Sequence, residues 1–178
     1  MANHEKKDYA DSVHLLMAFK RTKDGEKATC MRVVIKDEPI DLALLEYKCK
    51  LLGGIWRIHK TVNARDTKKA MRYLQHKMID FPEGAGFIDS LWRTALLQPE
   101  NIYGEKNFLL DVDTENPMDL TEFGGRIDLF NVIKEIKTPK GWHFITRPFD
   151  TRDVLELPYV SLQRDGYYFV KKVEENES

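Results

Sequence analysis

Two acidic residues, Asp111 and Asp113, stand two positions apart in an apolar segment that reads Leu-Leu-Asp-Val-Asp-Thr over positions 109–114. In a β-strand such residues point to the same side, roughly 6–7 Å apart along the chain. Divalent cations such as Mg²⁺ take carboxylate oxygens together with phosphate oxygens and water. The pair therefore indicates a site for one or two divalent cations at a strand end. The structural alternative is that both acids face solvent or cap the next turn.

A second segment, positions 138–146, reads Thr-Pro-Lys-Gly-Trp-His-Phe-Ile-Thr. If it forms a strand, His143, Ile145 and Arg147 share one face. The guanidinium group then offers a fork of donors to a phosphate, and the imidazole offers a single donor. A lone histidine in a strand is more often a core or edge residue than a ligand, so both interpretations stay open.

A third segment places Arg57, His59 and Thr61 on one face of a strand, with Asn63 and Arg65 at the start of the helix that follows. The free backbone N–H groups of a helix N-terminus attract anions, and basic residues beside them strengthen that effect. This arrangement predicts a phosphate site. The alternative is an amphipathic strand with a solvated basic end.

The first two segments together resemble the catalytic core of the archaeo-eukaryotic primase and PrimPol superfamily. In that family an apolar Asp-x-Asp strand is followed by a helix and then by a Thr/Ser-x-x-Gly-x-His strand. The resemblance implies that Asp111 and Asp113 bind Mg²⁺ or Mn²⁺ and that His143 contacts the phosphates of an incoming nucleotide, with Thr138 and Gly141 completing the motif. It covers roughly residues 55–172 and depends on these two motifs.

The resemblance implies that the protein catalyses nucleotidyl transfer, of the kind used in DNA replication. It also implies that the core of the fold is an RRM-like palm. The substrates would be a nucleoside triphosphate and single-stranded or primed nucleic acid. Catalysis would depend on Asp111, Asp113 and His143. The residues expected to bind nucleotide or phosphate are Thr138, Lys140, Gly141, Arg147, Arg57, Asn63 and Arg65.

The family also has a third metal-binding acid on a later strand. Asp150, Asp153 and Asp165 follow His143 in this chain, and Asp165 is expected to join the two other acids as a metal ligand. Asp165 precedes Gly166 in a predicted turn, where an aspartate is also favoured for structural reasons. Without a third acid the protein would be a nucleotide-binding relic, or a minimal core that a protein partner completes.

Two other functions are compatible with the sequence. Asp128, Glu135 and Lys137 read as the D…ExK pattern of restriction-type nucleases, in which the acids hold Mg²⁺ and the lysine stabilises phosphate charge. A non-catalytic module could instead bind nucleic-acid phosphates without turnover. The basic residues that would serve such a module are Arg57, Arg65, Lys68, Lys140 and Arg147.

The elements that must position these residues follow from hydrophobic periodicity. Helices are predicted to start at Asp41, at Asp66 or Thr67, and near Ile88. Another starts at Asp119, and it would bury Leu120, Phe123, Ile127 and Phe130. Strands are predicted at 55–62, 108–113, 132–138, 142–147, 159–162 and 167–173, the last two as a hairpin that turns at 164–166.

This order predicts a single α/β or α+β domain over residues 1–178, with helices packed on one mixed or mostly antiparallel sheet. The strand of Asp111 and Asp113 should be central and the strand of His143 beside it. The polar ends, 1–11 and 173–178, are expected to be flexible.

Composition excludes several classes of protein. The 178 residues are 42% hydrophobic and 32% charged, which suits a folded domain and argues against disorder. The formal net charge of −1 excludes a protein that coats nucleic acid through bulk positive charge. Two cysteines, Cys30 and Cys49, cannot form a disulfide framework or a structural zinc site. With no membrane-length apolar run and a polar N-terminus, a cytoplasmic protein without membrane contact is expected.

Overall fold

The computed structural model describes residues 11–20 and 30–174. The helices are α1 (Glu38–Leu52), α2 (Thr67–Asp80), α3 (Ile88–Leu96), α4 (Pro117–Arg126) and α5 (Arg152–Leu155). The strands are β1 (Ser12–Val13), β2 (Leu15–Lys20), β3 (Cys30–Val34), β4 (Trp56–Thr61), β5 (Arg65–Asp66), β6 (Phe108–Val112), β7 (Val132–Lys137), β8 (Trp142–Thr146), β9 (Val160–Gln163) and β10 (Tyr167–Val173). Short 3-10 turns cover Pro82–Phe87, Pro99–Asn101 and Leu129–Asn131.

The described residues form two compact units, of which the smaller comprises 11–13 and 64–103. In this unit β1 pairs antiparallel with β5, and α2 and α3 follow. The α2 helix begins after Asp66, whose carboxylate accepts a hydrogen bond from the Lys69 N–H. The core of the unit contains Ala70 and Leu74 of α2 and Ala95 and Leu96 of α3.

The larger unit comprises 14–20, 30–63 and 104–174 and contains two four-stranded antiparallel sheets. The first sheet has the strand order β10-β4-β2-β3, and α1 packs on one of its faces through Leu45 and Cys49. The second has the order β7-β8-β6-β9, and α4 and α5 cover one of its faces. The uncovered faces of the two sheets meet in a small apolar cluster around Val62, Leu109 and Ile145.

The predicted α/β class with antiparallel pairing is confirmed, and so is the placement of the two strands that carry the motifs. In the second sheet β6 and β8 are the two inner strands, and they lie side by side. The connectivity of this sheet is β6-α4-β7-β8-α5-β9, a strand-helix-strand-strand-helix-strand order. The RRM-like palm implied by the family resemblance stays a prediction, and this connectivity is compatible with it.

The expectation of one sheet was wrong, since the described residues form two four-stranded sheets and a two-stranded ribbon. The predicted hairpin was wrong for a related reason. The strand β9 pairs with β6, whereas β10 pairs with β4 of the other sheet. The turn between them is held to the first sheet, because the Gly166 carbonyl accepts from the Val62 N–H and Asp165 accepts from the Asn63 amide.

Two helix predictions also need correction. The first helix begins at Glu38 and not after Asp41, because Asp37 caps it by accepting a hydrogen bond from the Ile40 N–H. The fourth helix ends at Arg126, since the Asp128 side chain caps the next turn. Phe130 therefore lies beyond the end of the helix. It was predicted to be buried, but it is 95% exposed.

The predicted flexible ends are largely outside the described residues, since 1–10 and 175–178 are not described. Within the described part, the Asp11 carbonyl accepts a hydrogen bond from the Thr67 N–H, and Val173 is buried in β10. Across residues 11–20 and 30–174, no helix combines the length and apolar character that a bilayer crossing requires.

Candidate functional site

A cavity of about 560 Å³ lies between the two sheets of the larger unit. The second sheet and the turn that joins β7 to β8 contribute Asp111, Asp113, Thr138, Pro139, Lys140, His143 and Gln163. The first sheet contributes Phe19, Lys20, Arg57, His59, Tyr167 and Phe169. One wall is thus rich in polar groups and the other combines cations with aromatic rings, and the volume is in the range of small-molecule sites.

Asp111 and His143 face each other across the two inner strands of the second sheet. They are a directly opposed pair in the antiparallel register of β6 and β8, so both side chains point to the same face. The His143 Nε2 atom lies 3.4 Å from the Asp111 Oδ1 atom. The sequence motifs predicted that these strands would be neighbours, and the register brings the two side chains to the cavity wall.

The hydrogen bonding of His143 assigns its tautomer. Its Nδ1 atom accepts a hydrogen bond of 3.0 Å from the backbone N–H of Phe169. A backbone N–H can only donate, so Nδ1 carries no proton, and in the neutral ring the proton is on Nε2. The Nε2–H group is therefore the donor that His143 presents to the Asp111 carboxylate and to the cavity.

Gly141 is required by the close approach of two strands. A methyl group at this position would overlap the Val112 carbonyl oxygen and would lie 3.0 Å from the Thr114 N atom. These are backbone atoms of the segment that carries Asp113, and they cannot rotate away. The absence of a side chain at Gly141 lets the β7–β8 turn, with Thr138 and Lys140, lie against the end of β6.

Three cations line the cavity: Lys20, Arg57 and Lys140. None of them forms a salt bridge with another residue in the described part of the chain. The Arg57 Nε atom is buried and has no hydrogen-bond partner among the described residues. Because buried donors without partners are costly, this nitrogen marks a position at which an anionic ligand would be stabilised.

Aromatic rings form much of the opposite wall. The His59 ring packs edge to face against Phe19, with centroids 5.5 Å apart, and against Phe169, with centroids 5.9 Å apart. Tyr167 continues this cluster beside Phe19. Flat apolar rings with polar edges suit a ligand that has an aromatic portion of its own.

Burial lowers the pKa of His59 to about 4. The value of about 4 is the net result of this burial, of the hydrogen bond to the Arg57 carbonyl and the charge of the Asp111 carboxylate, which both raise the pKa, and of the Arg57 charge, which lowers it. At neutral pH the ring is therefore uncharged and adds no positive charge to the cavity.

We expect His59 to make the folded protein less stable in acid. In the unfolded chain its pKa returns to about 6.5, so only the unfolded state gains a proton as the pH falls toward 4. The free energy of unfolding should fall by up to about 3 kcal/mol between pH 6.5 and pH 4 from this residue. Urea unfolding of the wild type and of His59→Gln across that range measures the effect. Parallel stability curves for the two proteins would contradict it.

Four predicted ligands lie elsewhere. Asn63 is buried and bonded to the Asn107 backbone and to Asp165. Arg65 is fully buried within the smaller unit. Arg147 is exposed beyond the end of β8 that is distant from Gly141, and it does not line the cavity. Asp165 lies in the turn after β9, also outside the cavity lining.

The expected phosphate site at the start of α2 is occupied by the protein itself. The Asp66 carboxylate accepts from the Lys69 N–H, and the Thr67 N–H donates to the Asp11 carbonyl. Lys68 forms a salt bridge of 2.8 Å with Asp11. Of the basic residues proposed for a non-catalytic module, Arg57 and Lys140 line the cavity.

The residues of the nuclease pattern are not gathered either. Asp128 uses its carboxylate to cap the Phe130 N–H and to bind the Asn131 side chain, before β7 begins. Lys137 is at the other end of β7, where it forms a salt bridge with Glu115. The length of the strand thus separates the acid from the lysine of the pattern.

In the described ranges, 11–20 and 30–174, no third acid joins Asp111 and Asp113 at the cavity. Among the described residues, no cluster of three or more His, Cys, Asp and Glu side chains is arranged to hold a metal ion. On β9, the strand beside Asp111, the residues that share its face are Ser161 and Gln163. Two carboxylates are nevertheless a complete protein contribution for Mg²⁺ when phosphates and water supply the remaining ligands.

Comparison with known proteins gives no relative: the chain matches no protein family, no curated protein and no solved structure. The site is therefore interpreted from its own geometry. Sequence reasoning did not assign Phe19, Lys20, Gln163 or Phe169 to it. One sequence signal was available for Phe169. It stands two positions after Tyr167, as His59 stands two positions after Arg57, and residues two apart in a strand share one face.

Proposed function

We propose that the protein binds a nucleoside triphosphate with a divalent cation and transfers a nucleotidyl group to nucleic acid, as a minimal primase-polymerase-like core. The observation that carries this proposal is the cavity between the two sheets. It combines a pair of carboxylates, an imidazole N–H donor, an aromatic wall and cations that have no ion-pair partner among the described residues. Each of these features matches one part of such a ligand.

The charges of the cavity account for the need for a metal ion. A triphosphate carries about four negative charges, which two nearby carboxylates would repel unless a cation lay between them. Asp111 and Asp113 provide the oxygen ligands that Mg²⁺ and Mn²⁺ prefer. When bound, the ion would polarise the phosphoryl group that reacts.

The remaining groups have separable roles. Arg57, whose buried Nε–H has no hydrogen-bond partner among the described residues, would neutralise phosphate charge from the first sheet, and Lys140 would do so from the β7–β8 turn. His143 donates its Nε2–H to a phosphate oxygen. The rings of Phe19 and Tyr167 offer a surface for the base. In the transfer, a hydroxyl oxygen of the nucleic acid bonds to the α-phosphorus, the α–β anhydride breaks, pyrophosphate leaves and the hydroxyl proton passes to water.

Calorimetric titration with a nucleoside triphosphate, with and without Mn²⁺, tests the proposal. We expect binding that depends on Mn²⁺, together with extension of a primed template and release of pyrophosphate. Absence of binding with Mn²⁺ present would rule the proposal out. Binding without any transfer on single-stranded or primed DNA or RNA would leave a nucleotide-binding protein and would remove the transfer step.

The role of His143 has its own test. We expect His143→Ala to weaken Mn²⁺-dependent nucleotide binding by about 10- to 100-fold, because it removes one charge-assisted hydrogen bond. His143→Gln keeps an N–H donor and should lose less. The exposed His76 in α2 provides the matched control, since His76→Ala removes an imidazole far along the chain from the motif. Affinity of His143→Ala equal to that of the wild type would contradict the assignment.

A further inference from the structure

The α1 helix is apolar on two opposite faces. One face is buried against the first sheet through Leu45 and Cys49. The other carries four large apolar residues, each more than half exposed: Ile40 (58%), Leu44 (54%), Tyr47 (61%) and Leu51 (68%). We call these four residues the α1 stripe.

The spacing of the α1 stripe is that of a helix-pairing surface. Its members are separated by four, three and four residues, which aligns them on one side of a helix. With 3.6 residues per turn, this side is nearly opposite to Leu45 and Cys49. A helix that is apolar on all sides is normally buried, and a continuous exposed apolar patch marks a contact surface.

We propose that the α1 stripe pairs with the α1 stripe of a second copy of this chain, with the two helices antiparallel. A two-fold axis between positions 45 and 46 places Leu44 against Tyr47 of the second copy and Ile40 against Leu51 of the second copy. These are the alternating layers of an antiparallel helix pair. The surface is therefore complementary to itself, as a two-fold interface requires.

The charges beside the stripe favour the same arrangement. Asp41 and Lys48 lie on one flank of the stripe, seven residues apart. The antiparallel pairing brings Asp41 of each copy beside Lys48 of the other, so that two ion pairs form. The N-terminal end of each α1 helix then lies near the C-terminal end of the other, so the two helix dipoles oppose each other. A parallel pairing would place like charges together.

The dimer would leave the candidate site accessible. In β4, Trp56 and Ile58 point toward α1, whereas Arg57 and His59 point into the cavity on the other side of the sheet. The inference thus depends on α1 alone and holds whether or not the cavity binds a nucleotide.

Sedimentation equilibrium of the full chain tests the pairing. A helix pair of this length is at the lower end of specific interfaces, roughly 1,000 Å² in total, so we expect a dimer that dissociates in the micromolar range. Leu44→Glu should make the protein monomeric. Phe130→Glu, which changes a fully exposed apolar residue outside α1, should leave the dimer intact. Circular dichroism of each variant verifies that it is folded.

Two charge reversals of equal size test the orientation. Lys48→Glu turns both interhelical ion pairs into repulsions and should weaken the dimer by about tenfold or more. Lys50→Glu changes the net charge equally, but it lies beside Ala43 of the second copy and should weaken the dimer by less than about threefold. A wild type that is monomeric at about 100 μM, or a dimer that survives Leu44→Glu, would overturn the proposal. Equal effects of the two reversals would overturn the antiparallel orientation.

Discussion

The double variant Asp111→Asn/Asp113→Asn should lose Mn²⁺-dependent binding of a nucleoside triphosphate by at least about 100-fold. Asparagine keeps the size of the side chain and one oxygen, but it removes the negative charge that attracts the cation. In the absence of metal, the double substitution should strengthen nucleotide binding instead of weakening it. The two carboxylates of the wild type repel the triphosphate, so the neutral variant should bind metal-free nucleotide more tightly than the wild type does.

Isothermal titration of both proteins, with Mn²⁺ and with a chelator, measures both parts of this expectation. The matched control is Asp150→Asn/Asp153→Asn, which removes the same two charges at exposed positions outside the cavity lining. The control should behave as the wild type does under both conditions. If the Asp111/Asp113 variant keeps Mn²⁺-dependent affinity, the carboxylates do not hold the metal.

The two strands that carry Asp111 and His143, and the faces on which these side chains lie, could be predicted because the determinants of each strand are local. Alternation of apolar and polar residues sets which side chains share a face, and a short turn joins β7 to β8. The family resemblance supplied the expectation that the two motif strands are neighbours. The register then follows from burial, because a shift by one residue would turn Phe144 out of the core and His143 into it.

The second wall of the cavity could not be predicted in this way. Arg57 and His59 reach the site because β4 pairs with β10, about 110 residues later in the chain. No local pattern encodes such a pairing, and the turn signal at Asp165-Gly166 instead suggested that β9 and β10 form a hairpin. The same turn explains why Asp165, expected as the third metal ligand, does not line the cavity. Asp165 is held by Asn63 where the chain passes from one sheet to the other.

Buried charge was the other source of error. Arg65 was predicted to bind phosphate because it precedes a helix N-terminus, but it is fully buried in the smaller unit. A sequence pattern does not distinguish a cation that faces solvent from one that is enclosed by its own domain. Arg57 is the same type of residue within strand β4, and its position on the cavity wall makes it a candidate ligand.

Gly141→Ala should have the largest effect on stability of any substitution at the site. The added methyl group would overlap the Val112 carbonyl oxygen, and its other near neighbours, Thr114 N and Val112 C, are also backbone atoms. Either the β7–β8 turn or the end of β6 must move. We expect the free energy of unfolding to fall by about 3 kcal/mol or more, as overpacking against rigid atoms predicts.

Binding should fail along with stability in Gly141→Ala, because a displaced turn moves Lys140 away from Asp113. Urea unfolding measures the loss of stability. Nucleotide titration, at a temperature below the thermal unfolding midpoint of the variant, measures the loss of binding. Gly124→Ala is the matched control: apart from the neighbouring backbone of α4 itself, no atom of the described residues lies within 4 Å of the added methyl group, and alanine favours the helix. That control should gain up to about 1 kcal/mol. A Gly141→Ala protein as stable as the wild type would show that the turn can withdraw from β6 without cost, and the close approach would then have no role in placing Lys140.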